Sequence, residues 1–140
     1  MKIIFIKSVI IYFFLIISAA ADKGFFNKGK DLFDDQKFDE AKFKFEQDIV
    51  YNPKNENSYL YLAKIYNIKK NDELEESNLK TVILINPKNE EAVYDLVLLK
   101  IRKSDYKESQ DLIKNFKLIC NKRCLESSKL QKKLDNLLKK

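Results

Sequence analysis

The sequence predicts an all-α fold of stacked helical hairpins, and three observations carry that prediction. The 140 residues include only two glycines and two prolines, too little punctuation for the many turns of a β-sandwich or barrel. Asn52-Pro53-Lys54-Asn55-Glu56 recurs as Asn86-Pro87-Lys88-Asn89-Glu90, 34 residues further on, and a fixed period of that length marks a helix-turn-helix solenoid. Phe38, Ala41, Phe45 and Ile49 step by three, four and four residues, which places them on one apolar stripe of a helix.

Residues 1–21 read as a signal peptide helix. Lys2 and Lys7 make a short basic start, Val9 to Ile17 is an unbroken apolar run, and Ser18-Ala19-Ala20-Ala21 supplies small residues before the charged Asp22. That order is basic, then apolar, then cleavable. Cleavage after Ala21 and retention as an inner-membrane anchor both fit the segment, although Lys7 would lie inside a span from Ile3 to Ala21. In either case the remainder is expected outside the cytoplasmic membrane, periplasmic or secreted. No cysteine lies near the cleavage region, so a lipoprotein is not expected.

Setting each proline at position 32 of a 34-residue unit begins the units at Asp22, Glu56 and Glu90. They cover 22–55, 56–89 and 90–123, and 124–140 is left as one further helix. Pro53 and Pro87 cannot continue the helices before them, and Asn55 and Asn89 are suited to cap the helices that follow. Gly29 falls inside a helix, where it costs about 1 kcal/mol relative to alanine.

At this point the sequence resembles the tetratricopeptide-repeat (TPR) family. Phe25, Gly29, Leu32, Ala41, Phe45 and Pro53 match its loose pattern in the first unit, and Tyr59, Leu62, Ala63, Tyr66, Leu79 and Pro87 in the second. Val93, Leu96, Val97, Tyr106, Ser109 and Ile113 match in a degenerate third unit, where Asn121 replaces the proline. The resemblance implies an α-α superhelix of three TPR hairpins closed by a capping helix. It also implies that Gly29 lets two helices touch opposite Ala41. Glu75 stands where the pattern wants alanine. It is expected to reach water from a loosely packed helix, because an unpaired buried charge costs several kcal/mol; a buried carboxylate with a dedicated partner is the other reading.

The family binds partners in the hollow lined by the first helix of each unit. Carried onto this chain, those positions are Phe26, Asn27 and Lys30; Asn57, Leu60, Tyr61, Lys64 and Asn67; and Glu91, Tyr94, Asp95, Leu98 and Arg102. Glu91 and Asp95 stand where TPR co-chaperones that grip acidic chaperone tails carry Lys and Arg, so acidic-tail capture is not expected. Aromatic steps at Phe26, Tyr61 and Tyr94 with mixed charge between them suit a helix or extended peptide with apolar anchors.

From Leu125 onward, Leu130, Leu134, Leu137 and Leu138 form a stripe ringed by Lys129, Lys132, Lys133, Lys139 and Lys140. A terminal helix that covers the last apolar face of a solenoid fits this pattern, and so does a basic helix lying on anionic lipid. Residues 22–100 carry 13 basic and 16 acidic side chains, whereas 101–140 carry 12 and 5, so the positive charge gathers at the C-terminal end. Only Arg102 and Arg123 supply guanidinium, which disfavours nucleic acid as a partner. Cys120 and Cys124 are the only cysteines; a short disulfide and two free thiols both fit, and two cysteines without histidine cannot complete a zinc shell.

There is no histidine, and no phosphate loop, metal set or nucleophile–base pair is visible. The expected function is therefore a non-catalytic adaptor of the bacterial cell envelope, without cofactor, holding a peptide or helix of another protein within a larger complex. Contact with a membrane or anionic polymer, through the N-terminal segment or the basic C-terminal helix, is the alternative.

Overall fold

The computed structural model describes residues 24–139; the expected signal peptide and its cleavage point lie outside them. The described residues form seven helices and no strand: α1 (Gly24–Asp34), α2 (Phe38–Tyr51), α3 (Glu56–Ile68), α4 (Asp72–Ile85), α5 (Glu90–Arg102), α6 (Tyr106–Ile119) and α7 (Cys124–Leu138). The described residues divide into two compact units, with the boundary between Ser58 and Tyr59.

The short turns inside the helix pairs share one construction. Gln36, Lys70 and Ser104, each 34 residues from the next, adopt φ of 62°, 57° and 59°. At each, the left-handed residue donates its N–H three residues back and the next residue donates five back: Gln36 to Phe33 and Lys37 to Leu32, Lys70 to Asn67 and Asn71 to Tyr66, Ser104 to Ile101 and Asp105 to Lys100. This pair of bonds satisfies carbonyls that the ending helix leaves without partners. Asn71 and Asp105 then cap the following helices, accepting from the backbone N–H of Leu74 at 3.1 Å and of Glu108 at 3.2 Å.

In the first unit α1 packs on α2. Gly29 is buried, and a Cβ there would lie 2.8 Å from Cε1 of Phe45. The close approach expected opposite Ala41 is thus made first of all to the Phe45 ring. Phe26 tilts against Phe45 at 5.9 Å, Phe33 meets Phe38 edge-on at 5.4 Å, and Phe25 stacks on Tyr51 at 5.6 Å. At the end of α2, Asp48 is buried and accepts from the hydroxyl of Ser58 and, at 2.6 Å, from the amide of Asn55. Asn55 also accepts from the backbone N–H of Asn57, at 3.2 Å. Four groups thus close the turn that Pro53 opens.

The second unit is built around α5. One side joins Leu60 and Ala63 of α3 and Leu79 and Val82 of α4 to Ala92, Leu96 and Leu99. The other side joins Val93, Val97 and Ile101 to Ile113 and Phe116 of α6 and Leu130 and Leu134 of α7. The hydrophobic driving force follows apolar area removed from water, which explains why α5, with apolar residues that join both clusters, sits between them. Lys100 is only 4% exposed. Its ammonium lies 2.6 Å from Glu76 and 2.7 Å from Glu108, and Lys103 and Lys80 also reach Glu76. Burial alone would lower the Lys100 pKa, but the bonds to Glu108 and Glu76 raise it above the ordinary lysine value. Burial would likewise raise Glu76, yet its bonds to Lys100, Lys103 and Lys80 lower it to about 2.

The turn between α6 and α7 lacks a proline, and two other devices hold it. Cys120 and Cys124 form a disulfide with their Cα atoms 5.1 Å apart. The carboxylate of Glu90 accepts from the backbone N–H groups of Asn121, Lys122 and Arg123, at 2.9, 3.3 and 2.9 Å.

Candidate functional site

Of the thirteen positions that the resemblance marks as binding surface, four belong to the first unit. Phe26 is half-buried against Phe45, while Asn27, Lys30 and Asn57 are exposed, Lys30 pairing with Asp34 at 3.2 Å. A shallow hollow in this unit, lined in part by Lys28, Leu32 and Phe43, includes none of the four.

The other nine lie on α3 and α5 of the second unit. Leu60 is not a surface residue: it is buried among Ala63, Leu79 and Ala92. That corrects the sequence expectation, and the reason is that an aliphatic side chain this close to α4 and α5 gains more from the core than from solvent. Leu98 is half-buried beside the second core cluster. Tyr61 and Lys64 lie one turn apart on α3, with the Lys64 ammonium 5.0 Å from the Tyr61 ring centre. Lys64 also forms an ion pair with Glu91 of α5 at 2.7 Å. Tyr94 has Phe116 against its ring at 6.1 Å and the Arg123 guanidinium over it at 4.2 Å, a favourable placement for a planar cation. Arg123 is itself bonded to Glu126, 2.6 Å away.

Asn67 and Arg102 converge on Glu75. The carboxylate of Glu75 is 2% exposed and accepts from Arg102 Nη2 at 2.6 Å and from Asn67 Nδ2 at 2.9 Å; Arg102 also bonds Asp72 at 2.8 Å. The expectation that Glu75 reaches water from a loose helix is therefore overturned: its charge is buried and has dedicated partners. Burial works against the Arg102 charge, but the bonds to Asp72 and Glu75 raise its pKa.

Asp95 differs from every acid around it. It is half-buried, and among the described residues no donor forms a hydrogen bond with its carboxylate. Burial, followed by repulsion from Glu91, raises its pKa to about 6 against the opposing pull of Lys64 and Arg123; Glu75 adds a smaller upward push. The sequence placed Asp95 on this face but gave no sign that it alone is unbonded. It gave no sign of Arg123 either, because that residue lies in a turn with no local pattern and reaches the site only through the fold.

Among the described residues no helix is long and apolar enough to cross a membrane. No family model and no curated protein matches the sequence. Solved structures do match. The first TPR of Spaghetti (RPAP3), bound to an HSP90 peptide, aligns with a TM-score of 0.73 at 18% identity over 83% of this chain and 91% of that one. The TPR2B domain of yeast Sti1, in a pHsp70 complex, gives 0.76 at 13% identity over 83% and 97%. The Yersinia enterocolitica type III secretion chaperone SycD, in complex with a peptide of the translocator YopD, gives 0.71 at 12% over 88% and 93%. At such identities the likeness speaks for the fold, and this chain has the fold of a TPR domain.

Proposed function

We propose that this protein is a non-catalytic adaptor that holds a peptide or helix of a partner protein against the face formed by α3 and α5, and that it does so in the bacterial cell envelope. The observation that carries the binding reading is the face itself. Tyr61, Tyr94 and Leu98 offer apolar surface that the core does not fully absorb, and Lys64, Glu91 and Asp95 set polar groups between them. Apolar anchors with interspersed polar groups suit peptide capture. The RPAP3, Sti1 and SycD structures, which share the fold, are complexes with an HSP90 peptide, pHsp70 and a YopD peptide. The envelope reading is supported by the basic, apolar and small-residue order of residues 1–21. The lipid-surface alternative is weakened by α7, whose Leu130 and Leu134 are buried in the core and so are not available to enter a bilayer.

The test is crosslinking and pull-down from envelope extracts with wild type and a Tyr61→Ala/Tyr94→Ala variant, with circular dichroism as the folding control. A partner captured by wild type and lost from the folded variant supports the proposal. Equal recovery of every protein removes it.

A further inference from the structure

The charges on the α3–α5 face and beside it are almost all committed to one another. Lys64 is held by Glu91, Arg123 by Glu126, and Arg102 by Glu75 and Asp72. Three cations therefore meet four carboxylates in direct bonds, and Asp95 is a fifth carboxylate with no bond among the described residues. The imbalance is negative, and it falls on a half-buried carboxylate. Partial burial disfavours the ionised form of a carboxylate that has only water as a donor, and nearby cations that are already paired do little to relieve it. A ligand that brings a cationic donor would relieve it, whereas an acidic ligand would meet Glu91 and Asp95 together. Apolar surface lies to one side of Asp95 on the helix: Tyr94 and Leu98, four residues apart and both half-buried, share a face next to it.

We infer that this face selects a basic partner segment, seating one lysine or arginine side chain against Asp95 while a neighbouring aliphatic residue of the same segment rests beside Tyr94 and Leu98. The inference rests on the peptide-binding reading above and adds the chemistry of the peptide. The same geometry disfavours the opposite polarity, because among the described residues the cations acting on Asp95, Lys64 and Arg123, are already paired with Glu91 and Glu126.

The test uses the full chain and a bead library of short random peptides, N-acetylated and C-amidated so that side chains are the only source of positive charge. Retained sequences are expected to share a Lys or Arg next to an aliphatic residue. Asp95→Asn should weaken the best of them by about tenfold or more, the scale of one charge-assisted hydrogen bond. Replacing the basic peptide residue by norleucine should cost a similar factor, and the two changes together should cost little more than either alone. Wild-type affinity should also rise between about pH 5 and about pH 7 as Asp95 ionises, with Glu91, Lys64, Glu75 and Arg123 as the charged groups facing it, and the Asn variant should lose that rise. Asp95→Asn removes a disfavoured, half-buried charge, so the variant is expected to stay folded. Retained peptides that are neutral or acidic, with affinities unmoved by Asp95→Asn but reduced by Tyr61→Ala, overturn the basic-anchor inference and leave the peptide-binding face standing. A library that retains nothing, or affinities that neither substitution moves, overturns both.

Discussion

Asp48 and Ser58 have counterparts 34 residues later in Val82 and Ala92, and all four are buried. The same two sites are thus filled by a carboxylate and a hydroxyl at one turn between helix pairs and by two aliphatic side chains at the next. The structure makes the swap meaningful, because Asp48 accepts the Ser58 hydroxyl hydrogen directly, while Val82 and Ala92 share one core cluster. Each polar partner needs the other. Ser58→Ala deprives a buried carboxylate of one donor and should cost about 2 kcal/mol. Asp48→Val strands the Ser58 hydroxyl, which is fully buried, and should cost about 2–3 kcal/mol. Asn55, half-buried, would turn its amide toward water. The double variant Asp48→Val/Ser58→Ala recreates the aliphatic pairing of the following turn and removes both unsatisfied groups, so it should lie within about 1 kcal/mol of wild type. Additivity would instead place it about 4–5 kcal/mol below, and the difference is the coupling energy that a double-mutant cycle reads. Equilibrium urea unfolding of the four proteins, followed by far-ultraviolet circular dichroism, makes the measurement. A double variant as unstable as the two single costs combined would refute the reasoning.

Other substitutions test separate steps of the same account. Gly29→Ala should gain about 1 kcal/mol of helix propensity but force the buried Phe45 ring aside, for a net loss of about 1–2 kcal/mol; a melting temperature that rises would refute the close approach. Glycine at Gln36, Lys70 or Ser104 should each stabilise by about 0.5–1 kcal/mol, because all three carry side chains in the left-handed conformation, and unchanged urea midpoints would count against this. Arg102→Met should cost about 3 kcal/mol by stranding buried Glu75. Glu75→Ala should cost under about 1 kcal/mol, because Asn67 is exposed and the Arg102 side chain is 42% exposed, so both can hydrate, and the reverse order in unfolding experiments would defeat the assignment. Asp95 has a folded pKa of about 6 against an ordinary 3.8, so the folded chain binds that proton more tightly. Its contribution to stability is present at low pH and is lost as pH rises through about 6, by at most about 3 kcal/mol and less for its partial exposure; Asp95→Asn should remove that slope from a pH series of urea midpoints.

Much of the helix order was legible because it rests on local chemistry. Pro53 and Pro87 end helices by removing a donor and fixing φ, and the apolar stripe of α2 follows from spacing alone, with Ala41 and Phe45 in the core as the pattern requires. The turns within the pairs were less legible. No glycine or asparagine stands at positions 36, 70 or 104, the residues that usually announce a left-handed turn; the geometry is imposed by the packing of the two helices around each turn. Lys100 was equally hidden. A lysine in an apolar helix reads as a solvent-facing charge, and only the arrival of Glu76 from α4 and Glu108 from α6 makes its burial tolerable.

The same distinction decides what the sequence showed of the site. Position within the repeat indicated which residues share the α3–α5 face, because that depends on helical phase. It did not show which charges cancel, because apart from the local Arg123–Glu126 pair the cancellations depend on partners 24 to 30 residues apart. Glu75 and Arg102 are separated by 27 residues and Lys64 and Glu91 by the same number, so each pair joins elements that no local window contains. Leu60 fell on the wrong side of the line for a related reason: the residues that bury it, Leu79 of α4 and Ala92 of α5, lie outside any local window. Asp95 is informative because of these pairings. A carboxylate beside Lys64 and Arg123 would ordinarily be taken as neutralised, and its isolation follows only when Glu91 and Glu126 are seen to hold both cations first. What that subtraction leaves on the face is one carboxylate without a cation of its own.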